Sequence, residues 1–120
     1  MKYMLLIYFD EAWDTLSLTA RQQIYREQLQ LSEQLTSSGQ YLAGAPLQSP
    51  STATSVRVRD GKRLVTDGPF AETREQLGGY CLIDAKDLDA AIGIATRMPM
   101  ARKGTVEIRP VIDIMGLPTE

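Results

Sequence analysis

The 120-residue sequence has no histidine. That absence removes the usual general base near neutrality, the usual transition-metal ligand and the usual pH switch. It has one cysteine, Cys81, so no internal disulfide can form, and with no histidine beside it a structural zinc site is nearly excluded. Acid–base chemistry would fall to carboxylates, Tyr, Lys, Ser or Thr, and a bound metal would be a hard, oxygen-ligated ion such as magnesium. No cofactor and no metal site is expected. An excess of positive charge is missing too: 13 Lys and Arg stand against 15 Asp and Glu, a net charge of −2, which argues against a nucleic-acid partner. No apolar run reaches the length of a membrane span, so no membrane partner is expected. Met1 to Phe9 has one Lys and a short apolar stretch but no small-residue cleavage site after it, and it is not read as a signal peptide; the cytoplasm is the inferred location.

What is present has the size of one domain spanning residues 1–120 and the composition of a soluble globular protein. Tyr3 to Phe9 is a continuous apolar run and predicts a strand buried on both faces. Asp10 to Asp14 predicts a polar loop whose Trp13 packs over the sheet edge, with ligand stacking as the other reading. Ser17 or Thr19 starts a helix that carries Ile24, Leu31 and Leu35 on one face, with Tyr25 and Gln28 beside them, and stops at Gly39. Its polar residues read as a solvated face. Tyr41 to Leu47 predicts a strand softened by Gly44, Ala45 and Pro46, which suits either close backbone approach or a bulge or edge strand. Ser55–Arg59 and Lys62–Thr66 flank Asp60-Gly61 and predict a hairpin, with Arg57, Arg59, Lys62 and Arg63 on a solvated face. Tyr80 to Ile83 predicts another strand buried on both faces, with Cys81 as an inert buried thiol. Asp84 or Asp87 caps a second helix that Pro99 ends, and Thr105 to Ile114 is the last strand. Along it Val106, Ile108, Ile112 and Ile114 share one face, and Glu107, Arg109 and Asp113 the other. Met115 to Glu120 is a tail.

Two strand–helix–strand units in one sheet give an α+β, ferredoxin-like sandwich with an inserted β-hairpin and both helices on one face. The other face, apolar on the strands around Tyr3–Phe9 and Tyr80–Ile83, then needs a cover. A second copy of the same sheet is the simplest one, so a homodimer through the open sheet face is expected, burying roughly 1,200–2,000 Å².

Between the hairpin and the next strand lies Val65-Thr66-Asp67-Gly68-Pro69-Phe70-Ala71-Glu72-Thr73-Arg74-Glu75, followed by Gly78-Gly79-Tyr80. It is read as a loop across the mouth of a pocket. On one reading Asp67 holds the turn and Phe70 plugs the core. On the other, Asp67 is a catalytic base beside Glu107 and Arg109. Phe70, Arg74, Tyr80, Glu107 and Arg109 then bind an unknown small polar or anionic molecule. The Glu107 and Arg109 side chains serve equally as an ion pair. This segment resembles the signature of the DGPF family within the YCII-related proteins. Met1 to Tyr8, Gly44-Ala45-Pro46-Leu47 and Arg102-x-Gly104-x-Val106-Glu107-Ile108-Arg109-Pro110 are similar to the same family, with Arg74 where lysine is common. The resemblance implies a dimeric α+β barrel. It also implies a regulatory setting linked to sigma factors. A His–Asp pair proposed for some YCII-related proteins is not transferable, because the histidine is missing. Two functions of different class follow: a small-molecule-binding or sensing homodimer, or an enzyme using carboxylate acid–base chemistry.

Overall fold

The computed structural model describes residues 1–10 and 12–116. The strands are β1 (Lys2–Phe9), β2 (Tyr41–Pro46), β3 (Thr54–Arg59), β4 (Lys62–Asp67), β5 (Gln76–Asp84) and β6 (Thr105–Pro110). The helices are α1 (Ala12–Thr15), α2 (Leu18–Ser37), α3 (Leu88–Arg97) and α4 (Met100–Lys103). The main sheet has the order β2-β5-β1-β6 and every neighbouring pair is antiparallel. With α2 and α3 as the crossovers, this is the ferredoxin-like arrangement the element order predicts. None of the described helices is long and apolar enough to cross a membrane.

Local chemistry fixes the ends of the elements. Ser17, not Thr19, caps α2, its hydroxyl accepting from the Ala20 N–H at 3.1 Å. Gly39, at φ +75°, takes the left-handed position after the helix. Asp87, not Asp84, caps α3 and accepts from the Ala90 N–H at 2.9 Å. Asp84 instead meets the chain's amino terminus at 3.0 Å. Asp87→Ala is expected to cost about 0.5–2 kcal/mol, read as a shift in the urea midpoint, whereas Asp89→Ala in the same turn leaves the cap bond intact.

The core lies between sheet and helices. Tyr3, Leu5 and Ile7 of β1 and Cys81 and Ile83 of β5 meet Ile24, Leu31 and Leu35 of α2 and Ala91, Ile94 and Ala95 of α3. Strand alternation therefore turns Met4, Leu6, Tyr8, Tyr80 and Leu82 to the other face, where they are half-buried. The molecule is only 20 Å thick along its shortest axis, one sheet and one helix layer. Its radius of gyration, 16.5 Å, exceeds the roughly 13.6 Å of a compact chain of this length. The excess comes with β3 and β4, a separate two-stranded ribbon on which Val56, Val58, Leu64 and Val65 are exposed. Asp60 and Gly61, both at positive φ, form its two-residue turn, and Arg59 pairs with Lys62.

Several expectations need correction. Trp13 sits in the short α1 rather than in a loop. The strand after the central loop begins at Gln76 and includes Gly78 and Gly79. Glycine there has a spatial cause: a Cβ on Gly78 would lie 1.5 Å from the Phe9 ring, which crosses the strand at a register shift. The last strand stops at Pro110, and the Val111 N–H to Lys2 carbonyl bond follows it. Ile112 and Ile114 are therefore exposed instead of sharing the buried face with Val106 and Ile108. Asp113 leaves the face of Glu107 and Arg109 and accepts from the Met115 N–H. The part of the expected tail beyond residue 116, and Glu11 in the first loop, lie outside the described residues.

Candidate functional site

Two concave regions flank the sheet, one on each face. The first lies between α2 and the strands β2 and β5, with a volume of about 750 Å³. It exists because the facing side chains are small: Ser32 and Thr36 on the helix, Gly44, Ala45 and Gly79 on the strands. Gly44 is tight as well as small, since a Cβ there would lie 2.7 Å from the Tyr41 hydroxyl and 2.9 Å from the Tyr80 carbonyl oxygen. One end is closed by an aromatic row. The Phe9 and Trp13 ring centres are 5.0 Å apart, and Trp13 meets Tyr25 edge-on at 5.7 Å. Both spacings are those of attractive aromatic pairs.

The polar groups of this groove are few. Ser32 donates to the Gln28 main-chain oxygen at 2.9 Å and Thr36 to the Ser32 oxygen at 2.7 Å, so both hydroxyls turn back onto the helix. The Gln28 Oε1 is buried with no hydrogen-bond partner among the described residues. Cys81 is buried in the wall, and desolvation pushes its thiol from 9.0 up to about 11. Desolvation also raises the Tyr41 phenol, with smaller contributions from Cys81 and Tyr80. The folded-state pKa of Cys81 lies above its ordinary value, so the folded state holds that proton longer than the unfolded one. The resulting stability is present below pH 9 and lost as pH rises toward 11. Cys81→Ala is expected to lose stability less steeply than wild type across that window in urea titrations at fixed pH. An equal slope would place the cause elsewhere.

The second concavity, about 640 Å³, lies at the same end of β1 and β5, where Tyr8 meets Leu77, and includes Leu47, Pro69 and Phe70 as well. The Asp67-Gly68-Pro69-Phe70 segment borders it. Gly68, at φ +94°, donates its N–H to the Ala53 oxygen at 2.7 Å and accepts from the Ser55 hydroxyl at 2.8 Å. Asp67 is exposed at the end of β4 opposite Thr54 and lines neither concavity. Among the described residues no hydrogen bond joins its carboxylate to the turn, to Glu107 or to Arg109. Phe70 does not plug the core; it is 78% exposed at the rim of this concavity. Arg74 is exposed too. Gln76 holds the loop instead, its side-chain amide donating to the Thr73 oxygen at 3.0 Å.

Tyr80, Glu107 and Arg109 share the open sheet face, with β1 between Tyr80 and the other two. Leu6 lies opposite Tyr80 on one side and Glu107 on the other. Glu107 and Arg109 form an ion pair at 3.3 Å, and the Tyr8 hydroxyl donates to Glu107 at 3.4 Å. The loop reaches this region through Glu75, which accepts from the Thr105 hydroxyl at 3.2 Å. Among the described residues no group of three or more His, Cys, Asp or Glu is placed to hold a metal ion.

The sequence profile of the YCII-related domain matches residues 1–115. The chain belongs to the YCII-related family. A protein of Rhizobium meliloti (strain 1021), itself described only as uncharacterized, is 34% identical to this YCII-related chain over 117 residues, 92% of each sequence. The match spans the whole ferredoxin-like unit and the ribbon, so the architecture above is that of a YCII-related domain. The groove under α2 was not legible in the sequence of this domain. Gln28 reads as a neighbour of the apolar face of α2, and only the small residues at 44 and 45 hint at open space opposite it.

Proposed function

We propose that this YCII-related protein is a small-molecule-binding homodimer whose ligand occupies the groove between α2 and the sheet. The observation that carries the reading is the groove itself. It falls within the size range of ligand pockets, has apolar and aromatic walls and holds few polar groups, as ligand sites do. The homodimer is supported by the half-buried row Met4, Leu6, Tyr8, Tyr80 and Leu82, which has no second layer over it in the protomer. Glu107 and Arg109 already pair with each other, so a second sheet laid on this face would meet no unpaired charge there.

The test uses Trp13, the one tryptophan in the chain and part of the groove wall. Wild type and Ser32→Phe are screened against neutral aromatic and aliphatic metabolites, reading the melting temperature and Trp13 emission. A ligand at about 100 times its Kd adds about 2.7 kcal/mol to stability, a shift of several degrees for a domain of this size. Wild type is expected to respond, and the filled groove of Ser32→Phe to respond little or not at all. Equal responses from both proteins, or none from wild type, would overturn the reading.

A further inference from the structure

We infer that the valine face of the β3–β4 ribbon is a contact between copies of this chain, in which two ribbons stack face to face and antiparallel about a two-fold axis at the Val56–Val65 pair. The contact uses neither the α2 groove nor the open sheet face. Three observations carry it.

The first is that the ribbon stands alone. It is not hydrogen-bonded into the main sheet, and of residues 54–67 only Ser55 is even half-buried. Two strands by themselves are marginal in water, whereas two stacked ribbons make a two-layer unit with an interior. The second is the distribution of apolar groups. Residues paired across the ribbon share a face, so Thr54, Val56 and Val58 lie with Asp67, Val65 and Arg63. Val56 and Val58 are each 61% exposed and Val65 is 56% exposed. The reverse face carries Arg57, Arg59 and Lys62 with no acid in its strand pairs, and two such faces would repel each other.

The third is the order of charge. On β4, Arg63 and Asp67 stand two residues to either side of Val65. They are roughly 13 Å apart along the strand, too far to meet in one ribbon. Among the described residues neither is in an ion pair. An antiparallel stack centred on Val65 lays the Arg63 of each copy over the Asp67 of the other and sets valine on valine between them. A parallel stack would gather both arginines at one end and both carboxylates at the other. The face is therefore complementary to itself in one direction only, as an isologous contact requires. Its area is small: about 20 Å by 10 Å, or roughly 200 Å² in projection on each copy, against about 800 Å² per partner in a stable interface. The contact is weak, and below about 10 µM it is open.

The experiment is sedimentation equilibrium of the full chain from about 10 µM to 1 mM. Leu82→Asp supplies a background without association through the open face, and its mass is expected to rise from the 13.3 kDa of the chain toward twice that value. Arg63→Asp on this background sets carboxylate against carboxylate at both ends of the contact and should weaken association at least about tenfold. Adding Asp67→Arg restores both pairs in reversed order and should bring association back to within about threefold of the starting protein. Arg57→Asp, on the reverse face, should leave it unchanged. The same ribbon substitutions on wild type read the step above its own lowest mass, so the result does not depend on how Leu82→Asp folds or on the open-face dimer. No rise in mass up to about 1 mM on either background would overturn the inference. So would an Arg63→Asp protein that associates like its parent, or a double variant no tighter than the single one. Loss of association with Arg57→Asp alone would place the contact on the basic face and overturn it too.

Discussion

Gly104→Ala is expected to destabilise the protein by about 3 kcal/mol, the upper end of what overpacking costs, and to lower the melting temperature by about 10 °C. The residue stands just before β6 with a negative φ of −147°, and an added side chain there meets a shortage of space. An added Cβ would lie 2.1 Å from the Tyr8 carbonyl oxygen, 3.1 Å from its carbon and 3.2 Å from the Phe9 Cα. These are main-chain atoms of β1, which is hydrogen-bonded to strands on both sides. They cannot swing away as a side chain does, so either β6 loses its register where Thr105 meets Tyr8 or β1 shifts into the core. Gly93 is the internal control. It lies within α3, where an added Cβ would have nothing within 4 Å, and Gly93→Ala should stabilise by about 0.5–1 kcal/mol through helix propensity. A Gly104→Ala protein that melts with wild type would mean that the β1–β6 junction yields far more easily than this packing implies.

Leu82→Asp should convert the proposed dimer to a monomer while leaving the protomer folded. Leu82 lies on the open face between Met4 of β1 and Ala43 of β2 and is half-buried within the protomer. In a lone protomer the carboxylate stays hydrated and costs little. Under a second sheet it would be buried without a partner, a penalty of about 3 kcal/mol or more and about a hundredfold or more in Kd. Sedimentation equilibrium is expected to give twice the 13.3 kDa chain mass for wild type and the chain mass for the variant, with unchanged far-ultraviolet circular dichroism. A monomeric wild type would remove the homodimer from the proposal, and a Leu82→Asp dimer would move the contact to another surface. The exposed valines of the ribbon, Val56 and Val58, are the next surface to vary.

Both predictions depend on features of unequal visibility in the sequence. The open face was legible, because a strand apolar at every position cannot hide both sides against one layer of helices. Glu107 and Arg109 were legible as neighbours on that face, since residues two apart on a strand point the same way. The steric need for Gly104 was not. Glycine at a strand entrance signals a turn, and nothing local says that another strand's carbonyl passes 2.1 Å from its missing methyl.

The elements and their faces follow from the local order of residues. Ser17 and Asp87 are caps because a short polar side chain can reach the first free N–H groups of its own helix. Asp60-Gly61 makes the ribbon turn because those residues accept positive φ. Ile24, Leu31 and Leu35 are buried because they fall on one side of a 3.6-residue repeat. The cap and turn bonds close within a few residues, and the helix repeat needs no distant partner to be read. Where space is left between elements emerges only once they pack: the groove beneath Gln28, Ser32 and Thr36, the passage of Phe9 over Gly78, the end of β6 at Pro110 and the exposure of Phe70. Each depends on which side chain arrives from a distant strand or helix. The distance between two packed surfaces is set by the pair, and neither segment alone encodes it.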